Sequence, residues 1–248
     1  MKDVLSRIGI GSATVETILP TDTVRAGESV QADIHVEGGS TAQDIDAVYF
    51  ALETEYKSDE GYKDAIIDQW QLTEPFTIAA DEERRFETTI DIPRETPVTT
   101  RSTAVEIETG LDISMAVDPG DEDYIEVEPT HRTQAVFDAL DSLGFTLHSS
   151  SCEATAGSLF TSSASFVQEF EFRPQHGEFA GEVDEVEIVP VFDDDDRLTV
   201  YVEVDRSGGL LSEMTDTDER HTKLTIEAPK PDADAVEPQL EDRIRELS

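Results

Sequence analysis

Residues 29–36 read SVQADIHV, and their pattern decides the fold predicted for this chain. The apolar residues occupy every second position: Val30, Ala32, Ile34 and Val36. Successive side chains of a β-strand point to opposite faces of a sheet, so this spacing buries one face and leaves the other in water. The segment therefore predicts a half-buried strand of an antiparallel sheet.

The same two-residue period recurs through the first half of the chain, between turn-forming residues such as Gly38, Gly39 and Pro93. The predicted strands cover residues 14–19, 29–36, 45–55, 66–78, 84–92, 103–113 and 124–128. Seven short strands at this spacing are typical of an antiparallel β-sandwich. We therefore expect an N-terminal lobe over residues 1–128.

The second half begins with a predicted helix, which Thr130 or Thr133 can cap and Gly144 can end. Its apolar face contains Val136, Ala139, Leu140 and Leu143. Strands are predicted over residues 145–149, 166–172, 183–191, 198–204 and 223–226, which gives a second lobe over residues 129–228. Together the two halves predict an all-β protein of two sandwich lobes with one short helix between them.

Residues 229–248 read as a linker that begins with the sequence PKPD. Leu240, Ile244 and Leu247 within it allow one apolar stripe of a short terminal helix.

The charge of the chain limits its partners and its environment. It carries 57 Asp and Glu against 18 Lys and Arg, a formal net charge of −39. Nucleic acids and anionic membranes are bound through clustered Lys and Arg, so we expect no nucleic-acid partner and at most peripheral membrane contact. At molar salt the Debye length is about 3 Å, which screens the self-repulsion of such a surface. The composition indicates a halophilic protein.

The remaining signals favour a cytoplasmic protein that is not an enzyme. Cys152 is the one cysteine, which excludes an intramolecular disulfide and a cysteine-based zinc site. No apolar run approaches the roughly 18 residues of a membrane span, and the first residues lack the apolar core of a signal peptide. Neither a G-x-S-x-G nor an H-E-x-x-H motif occurs, so no catalytic residue and no cofactor is predicted.

Two acidic segments are weak candidates for Ca²⁺ or Mg²⁺. They contain Asp118, Asp121 and Asp123 in the first, and Asp193, Asp194, Asp195 and Asp196 in the second. The first lacks the spacing of a calcium loop and surrounds a Pro-Gly turn, and the second lies between two predicted strands. We therefore interpret them as a turn and a hydrated hairpin tip. A metal-dependent or small-ligand-binding protein that uses these loops stays an alternative.

The N-terminal segment is a candidate partner-binding element. Val4, Leu5 and Ile8 form an apolar stripe at helical spacing. Such a stripe can dock into a partner groove or onto a membrane, as in a membrane-peripheral coat-like component, or it can pack against the first lobe.

Six segments, in order, resemble landmarks of the sporulation-control protein family of the SpoOM type. They are GIGSA at 9–13, EPFTI at 74–78, TGLDI at 109–113, AVDP at 116–119 running into DYIEV at 123–127, FVQEFEF at 166–172 and VDR at 204–206. The resemblance implies an arrestin-like fold of two β-sandwich lobes joined by a hinge. It also implies a role in controlling entry into sporulation through protein partners rather than chemistry. With its acidic surface, the chain resembles a halophilic archaeal member.

These observations predict a non-enzymatic adaptor or regulatory scaffold that acts through protein–protein contacts. Exposed strand edges would pair with partner strands, or with a second copy of the chain to make a homo-oligomer.

Overall fold

The structure is a computed structural model that describes residues 12–114, 118–155, 165–193, 197–206 and 221–248. The described segments form mostly β-structure together with two helices, α1 (His131–Ser142) and α2 (Ala233–Leu247). The strands are β1 (Thr14–Ile18), β2 (Thr23–Arg25), β3 (Ser29–Glu37), β4 (Gln43–Ser58), β5 (Gly61–Gln71), β6 (Phe76–Ile78), β7 (Glu83–Asp91), β8 (Val105–Ile113), β9 (Gly120–Glu128), β10 (Phe145–Ala154), β11 (Phe166–Pro174), β12 (Val183–Phe192), β13 (Leu198–Arg206) and β14 (His221–Ile226).

The chain divides into two compact units, each built from several segments. Of the described residues, the first unit contains those up to Glu55, Asp64–Thr99 and Ala104–Glu128. The second contains Tyr56–Lys63, Thr100–Thr103 and the described residues from Pro129 onward.

The first unit is a β-sandwich. One sheet has the antiparallel order β1-β3-β7, and the other contains β4, β8 and β9 in antiparallel order, with β2 parallel to β9. The alternation predicted for residues 29–36 is confirmed, because every second residue of β3 is buried. The buried residues of both sheets form one core, which includes Val30, Ile34, Val48, Phe50, Leu52, Ile90, Ile107 and Leu111.

Two strand predictions in this unit need correction. The strand predicted over residues 66–78 is two strands, since β5 ends at Gln71 and β6 begins at Phe76. Pro75 lies between them and has no N–H to donate to a sheet. No strand was predicted at β2, because its three residues are too few to display a period of two.

The second unit has one five-stranded antiparallel sheet in its described segments, in the order β10-β11-β12-β13-β14. One face of this sheet is apolar and packs against α1: the ring of Phe137 lies 4.9 Å from the ring of Phe170 and 5.5 Å from that of Phe172. The other face carries glutamates from three neighbouring strands.

Both predicted helices are present, and the ends of α1 have clear causes. Thr130 caps α1, since its Oγ1 accepts a hydrogen bond from the N–H of Thr133 at 3.2 Å. Gly144 follows the helix at a φ of +90°, a conformation that glycine adopts without strain. The terminal helix α2 has 15 residues, so it is longer than the short helix predicted from Leu240, Ile244 and Leu247. It buries these three side chains and that of Val236. No helix in the described segments is both long and apolar enough to span a membrane.

Candidate interaction site

The first acidic segment serves the backbone of the first unit. Asp118 Oδ1 accepts a hydrogen bond from the N–H of Ile113 at 3.0 Å, which closes the turn between β8 and β9. Asp121 Oδ2 accepts from the N–H of Thr17 at 2.7 Å and so holds β1 against β9. These two carboxylates therefore accept hydrogen bonds from backbone N–H groups of β8 and β1, in place of a carbonyl group of a neighbouring strand.

Asp123, the third candidate in this segment, points toward the interior of the sandwich, where it lies opposite Ile107. Burial, followed by the charges of Asp121 and Glu16, raises its pKa. Its Oδ2 is buried without a hydrogen-bond partner in the described part of the chain. Across the described segments, no group of three or more His, Cys, Asp or Glu side chains is arranged to hold a metal ion.

In the second acidic segment, Asp193 stabilises a hairpin. It accepts hydrogen bonds from the backbone N–H and the Nε of Arg197, at 2.9 Å and 2.8 Å, across the connection between β12 and β13. Asp194, Asp195 and Asp196 lie outside the described residues, as do Val4, Leu5 and Ile8 of the N-terminal stripe. The partner-binding role of that stripe stays a prediction.

The outer face of the first unit carries a cavity of about 470 Å³ between side chains of β4, β5 and β8. Its lining includes three aromatic residues, three carboxylates and several small or apolar residues: Tyr49, Phe50, Trp70, Glu53, Glu108, Asp112, Ala47, Ala51 and Ile66. The strand register explains this composition. Ala47 pairs with Asp112, Tyr49 with Gly110 and Ala51 with Glu108, so small residues alternate with carboxylates and leave a hollow around the tyrosine.

Gly110 sets the position of the Tyr49 ring. A Cβ atom on Gly110 would lie 2.1 Å from Cζ of Tyr49, so the ring occupies the space above the glycine. Trp70 also belongs to the lining, but its ring packs against Phe50 on the core side of the sheet, with their centroids 5.9 Å apart. The Tyr49 ring therefore forms the aromatic wall of the cavity, and the side-chain-free position of Gly110 in β8 makes room for it.

The electrostatic potential in this cavity is negative, because three carboxylates line it. Burial, then the nearby carboxylates of Glu108, Asp118 and Asp112, raise the pKa of Tyr49. Burial, then Glu108 and Glu106, likewise raise the pKa of Glu53. In the described part of the chain, no Lys or Arg forms an ion pair with Glu53, Glu108 or Asp112.

Strand β5 borders the cavity and forms an edge, because β4 is its one partner among the described strands. A two-residue turn joins the strands. Regular antiparallel pairing from such a turn directs alternate amides from Gly61 onward toward β4, so we expect those of Asp64 and Ile66 to face the open edge. The side chain of Ile66 is 56% exposed. This segment thus offers free backbone groups beside an exposed apolar residue.

The edge of β5 carries a bulge further along. Ile67, Trp70 and Leu72 all pack against the core, and the three-residue interval between the first two breaks the alternation. Within that interval the N–H of Gln69 donates to the carboxylate of Asp68 at 2.8 Å. An extra residue with its amide satisfied locally is the mark of a β-bulge, which ends regular pairing on that edge.

The polar face of the second unit carries a row of carboxylates. Glu171, Glu187 and Glu203 are direct neighbours on β11, β12 and β13. Burial, then Glu169, Glu203 and Glu185, raise the pKa of Glu187 to about 8. The pKa of Glu169, which is hydrogen-bonded to Glu187, is also raised, chiefly by burial. At neutral pH this pair holds a proton, which lowers the charge of the row.

Sequence reasoning did not identify the cavity. One signal was available, since Trp70 is the one tryptophan of a chain with few aromatic residues. The pairing of Tyr49 with Gly110 depends on strand register, which the sequence alone does not reveal.

Comparison with known proteins places these features in a family. The family model described as "SpoOM protein" matches residues 1–208. The chain belongs to the SpoOM family. The sporulation-control protein Spo0M of Bacillus subtilis (strain 168) is 36% identical over 250 residues, which cover 97% of this chain and 96% of that protein.

A solved SpoOM structure agrees with the fold. The crystal structure of Spo0M from Bacillus subtilis superposes with a TM-score of 0.83 at 35% identity, over 96% of this chain and 100% of that chain. Two of the sequence landmarks that resemble the SpoOM family have structural roles here. Gly110 in the segment TGLDI accommodates the Tyr49 ring, and Asp118 in AVDP closes the turn that follows β8.

Proposed function

We propose that this protein is a non-enzymatic, arrestin-like adaptor or regulatory scaffold of the cytoplasm that binds other proteins through a strand edge. Its similarity to a protein whose name is "Sporulation-control protein spo0M" supports a regulatory role over a catalytic one. The acidic side chains first considered as metal ligands support this reading too, since Asp118, Asp121 and Asp193 hydrogen-bond to the protein's own backbone.

One observation carries the proposal: β5 has β4 as its one partner among the described strands, and the segment along its open edge includes the exposed side chain of Ile66. An added partner strand gains main-chain hydrogen bonds at such an edge, and alternate side chains determine which partner fits. Folded proteins usually protect an edge with prolines, inward-pointing charges or bulges. Here the bulge begins only at Asp68, after the segment that we assign to partner binding.

The charge of −39 fits an adaptor of a salt-rich cytoplasm, such as that of a halophilic archaeon. With a Debye length of about 3 Å at molar salt, long-range attraction between charged surfaces is screened. Backbone pairing and apolar contact act at short range and keep their strength under those conditions. An edge-pairing adaptor is therefore suited to the environment that the composition indicates.

The test compares three forms of the tagged full-length protein, purified from the source organism in molar KCl. Asp64→Pro removes an outward-facing N–H and blocks an added strand, without removing a bond to β4. Asp64→Ala removes the same carboxylate but keeps the N–H, and it is the matched control. Co-purified proteins are quantified by mass spectrometry in all three.

We expect a set of proteins that the wild type and Asp64→Ala retain equally and that Asp64→Pro loses at least tenfold. Equal recovery with all three forms would contradict binding at this edge. If the protein recovers only itself, and light scattering shows a dimer that Asp64→Pro converts to a monomer, the edge serves homo-oligomerisation and the adaptor proposal is wrong.

A further inference from the structure

The cavity beside β5 is large enough to hold a ligand. Its volume of about 470 Å³ falls within the range of about 300–1,000 Å³ found for ligand sites. The small residues Ala47, Ala51 and Gly110 keep the hollow open around the Tyr49 ring. The one tryptophan of the chain forms another part of its wall.

The charge of the lining selects a cation. Glu53, Glu108 and Asp112 contribute three carboxylates, and no basic side chain of the described residues neutralises them. Burial, and after it the charge of Glu108, raises the pKa values of Tyr49 and Glu53. A bound positive charge would offset the negative charge of the lining, so the cavity and such a ligand are electrostatically complementary.

The combination of the Tyr49 ring with three carboxylates favours one cation over others. A guanidinium group is planar, stacks on aromatic faces and forms paired hydrogen bonds with carboxylates. It is also more weakly hydrated than an ammonium group, so it loses less on entering a partly enclosed cavity. Bare metal ions are less suited, because the three carboxylates are not among any group of described side chains arranged to hold a metal ion.

We propose that the cavity lined by Tyr49, Trp70 and Glu108 binds the arginine side chain of a partner protein. This proposal rests on the proposed function, because the partner segment that adds to the edge of β5 is what presents the arginine. The cavity lies beside the Asp64–Ile66 edge, and Ile66 belongs to both, so a strand added there could direct a side chain into the hollow. The edge then supplies backbone bonds, and the cavity supplies sequence preference.

The experiment uses the full-length protein and a probe of defined chemistry, the capped tripeptide acetyl-Gly-Arg-Gly-amide. Trp70 gives an intrinsic fluorescence signal from the cavity wall, and calorimetry gives an independent readout. The peptide with citrulline in place of arginine keeps the size and removes the charge. Free L-arginine tests whether the source of the cation is a small molecule.

Three variants locate the binding. Glu108→Gln and Glu53→Gln each remove one carboxylate of the cavity, and Glu87→Gln removes the same charge from exposed strand β7. A hydrogen bond to a charged group contributes about 1.5–3 kcal/mol. We therefore expect each cavity variant to weaken binding of the arginine peptide about tenfold or more, and Glu87→Gln to leave it within twofold of the wild type.

Saturable binding of the arginine peptide, with none of the citrulline peptide, supports the proposal. Equal binding of the two peptides, or equal weakening by Glu87→Gln and Glu108→Gln, would overturn it, because diffuse charge would then account for the signal. Tighter binding of free L-arginine than of the capped peptide would overturn the assignment to a protein side chain.

The two proposals fail separately. Asp64→Pro tests the edge and leaves the three carboxylates in place, so we expect it to bind the arginine peptide as the wild type does. If Asp64→Pro loses the partner proteins but the arginine peptide does not bind the wild type, the edge proposal stands and the cavity proposal is wrong.

Discussion

The ring of Tyr49 lies over Gly110, its cross-strand partner, so closely that a Cβ on the glycine would come within 2.1 Å of the ring. The pairing of these two residues belongs to the strand register, and it also positions a residue of the cavity lining. The glycine belongs to one of the segments that resemble the SpoOM family, and the ring forms a wall of the cavity on the outer face of the first unit. A backbone position without a side chain thereby makes room for one wall of the cavity.

Gly110→Ala is expected to displace the Tyr49 ring and to lower the free energy of unfolding by about 1–3 kcal/mol, the usual cost of overpacking. In the background of Tyr49→Ala the same substitution should cost little, because the obstructing ring is gone. Denaturant unfolding of the two single variants and the double variant measures this coupling. An equal cost of Gly110→Ala in both backgrounds would show that the ring does not depend on the glycine.

Asp121→Ala should destabilise the first unit by about 1–3 kcal/mol, since the N–H of Thr17 loses its acceptor. Asp121→Asn keeps an oxygen at the same place and should cost less. Chemical denaturation in molar KCl measures both, before and after removal of divalent cations by a chelator. If chelation destabilised the wild type but not Asp121→Ala, a metal role would replace the structural one.

Leu240→Ala should lower the free energy of unfolding by about 2–5 kcal/mol, the range for truncating a buried leucine. Leu240 is fully buried in α2, which makes that helix part of the second unit rather than a linker. The exposed Gln239 is the matched position, and Gln239→Ala should change stability by less than about 0.5 kcal/mol. Equal effects at the two positions would mean that α2 does not pack in solution.

The Glu187 carboxyl should make stability depend on pH. Its pKa is raised from the ordinary 4.5 to about 8 in the folded protein. Between these values the folded state binds more protons than the unfolded state, so the free energy of unfolding falls as the pH rises. Glu187→Gln should remove this loss and be more stable than the wild type above pH 8.

Unfolding measured from pH 4.5 to 9 at constant high salt checks this expectation. Glu182→Gln, at an exposed position nearby, is the control for the general effect of removing one charge from an acidic chain. A constant difference between the wild type and Glu187→Gln across this range would contradict the assignment of the proton to the pair formed with Glu169.

The elements that the sequence predicted best were those whose burial follows a local period. Residues 29–36 alternate strictly because β3 lies between two strands with one face on the core, and Thr130 and Gly144 define α1 through caps that depend only on nearby residues. The break at Pro75 was missed because apolar residues on both sides continue the same pattern.

The candidate site could not be predicted in this way, since it depends on register between distant segments. Tyr49, Trp70 and Glu108 come from three strands, and nothing local marks them as neighbours. The acidic residues that the sequence did single out proved to be backbone acceptors at Asp118 and Asp121, a role that also depends on tertiary contacts. The two-residue period of apolar residues predicts which face of a strand is buried. It does not predict which residues of different strands become neighbours on the exposed face.

The central claim is that β5 accepts a partner strand along its open edge. Residue-resolved amide hydrogen exchange, measured by NMR in molar KCl with and without a partner recovered by the wild type, tests it most directly. We predict that exchange slows at Asp64 and Ile66, whose amides face the edge, while Ala65 and Ile67, which face β4, change little. Unchanged exchange at Asp64 and Ile66 in the presence of the bound partner would contradict the account.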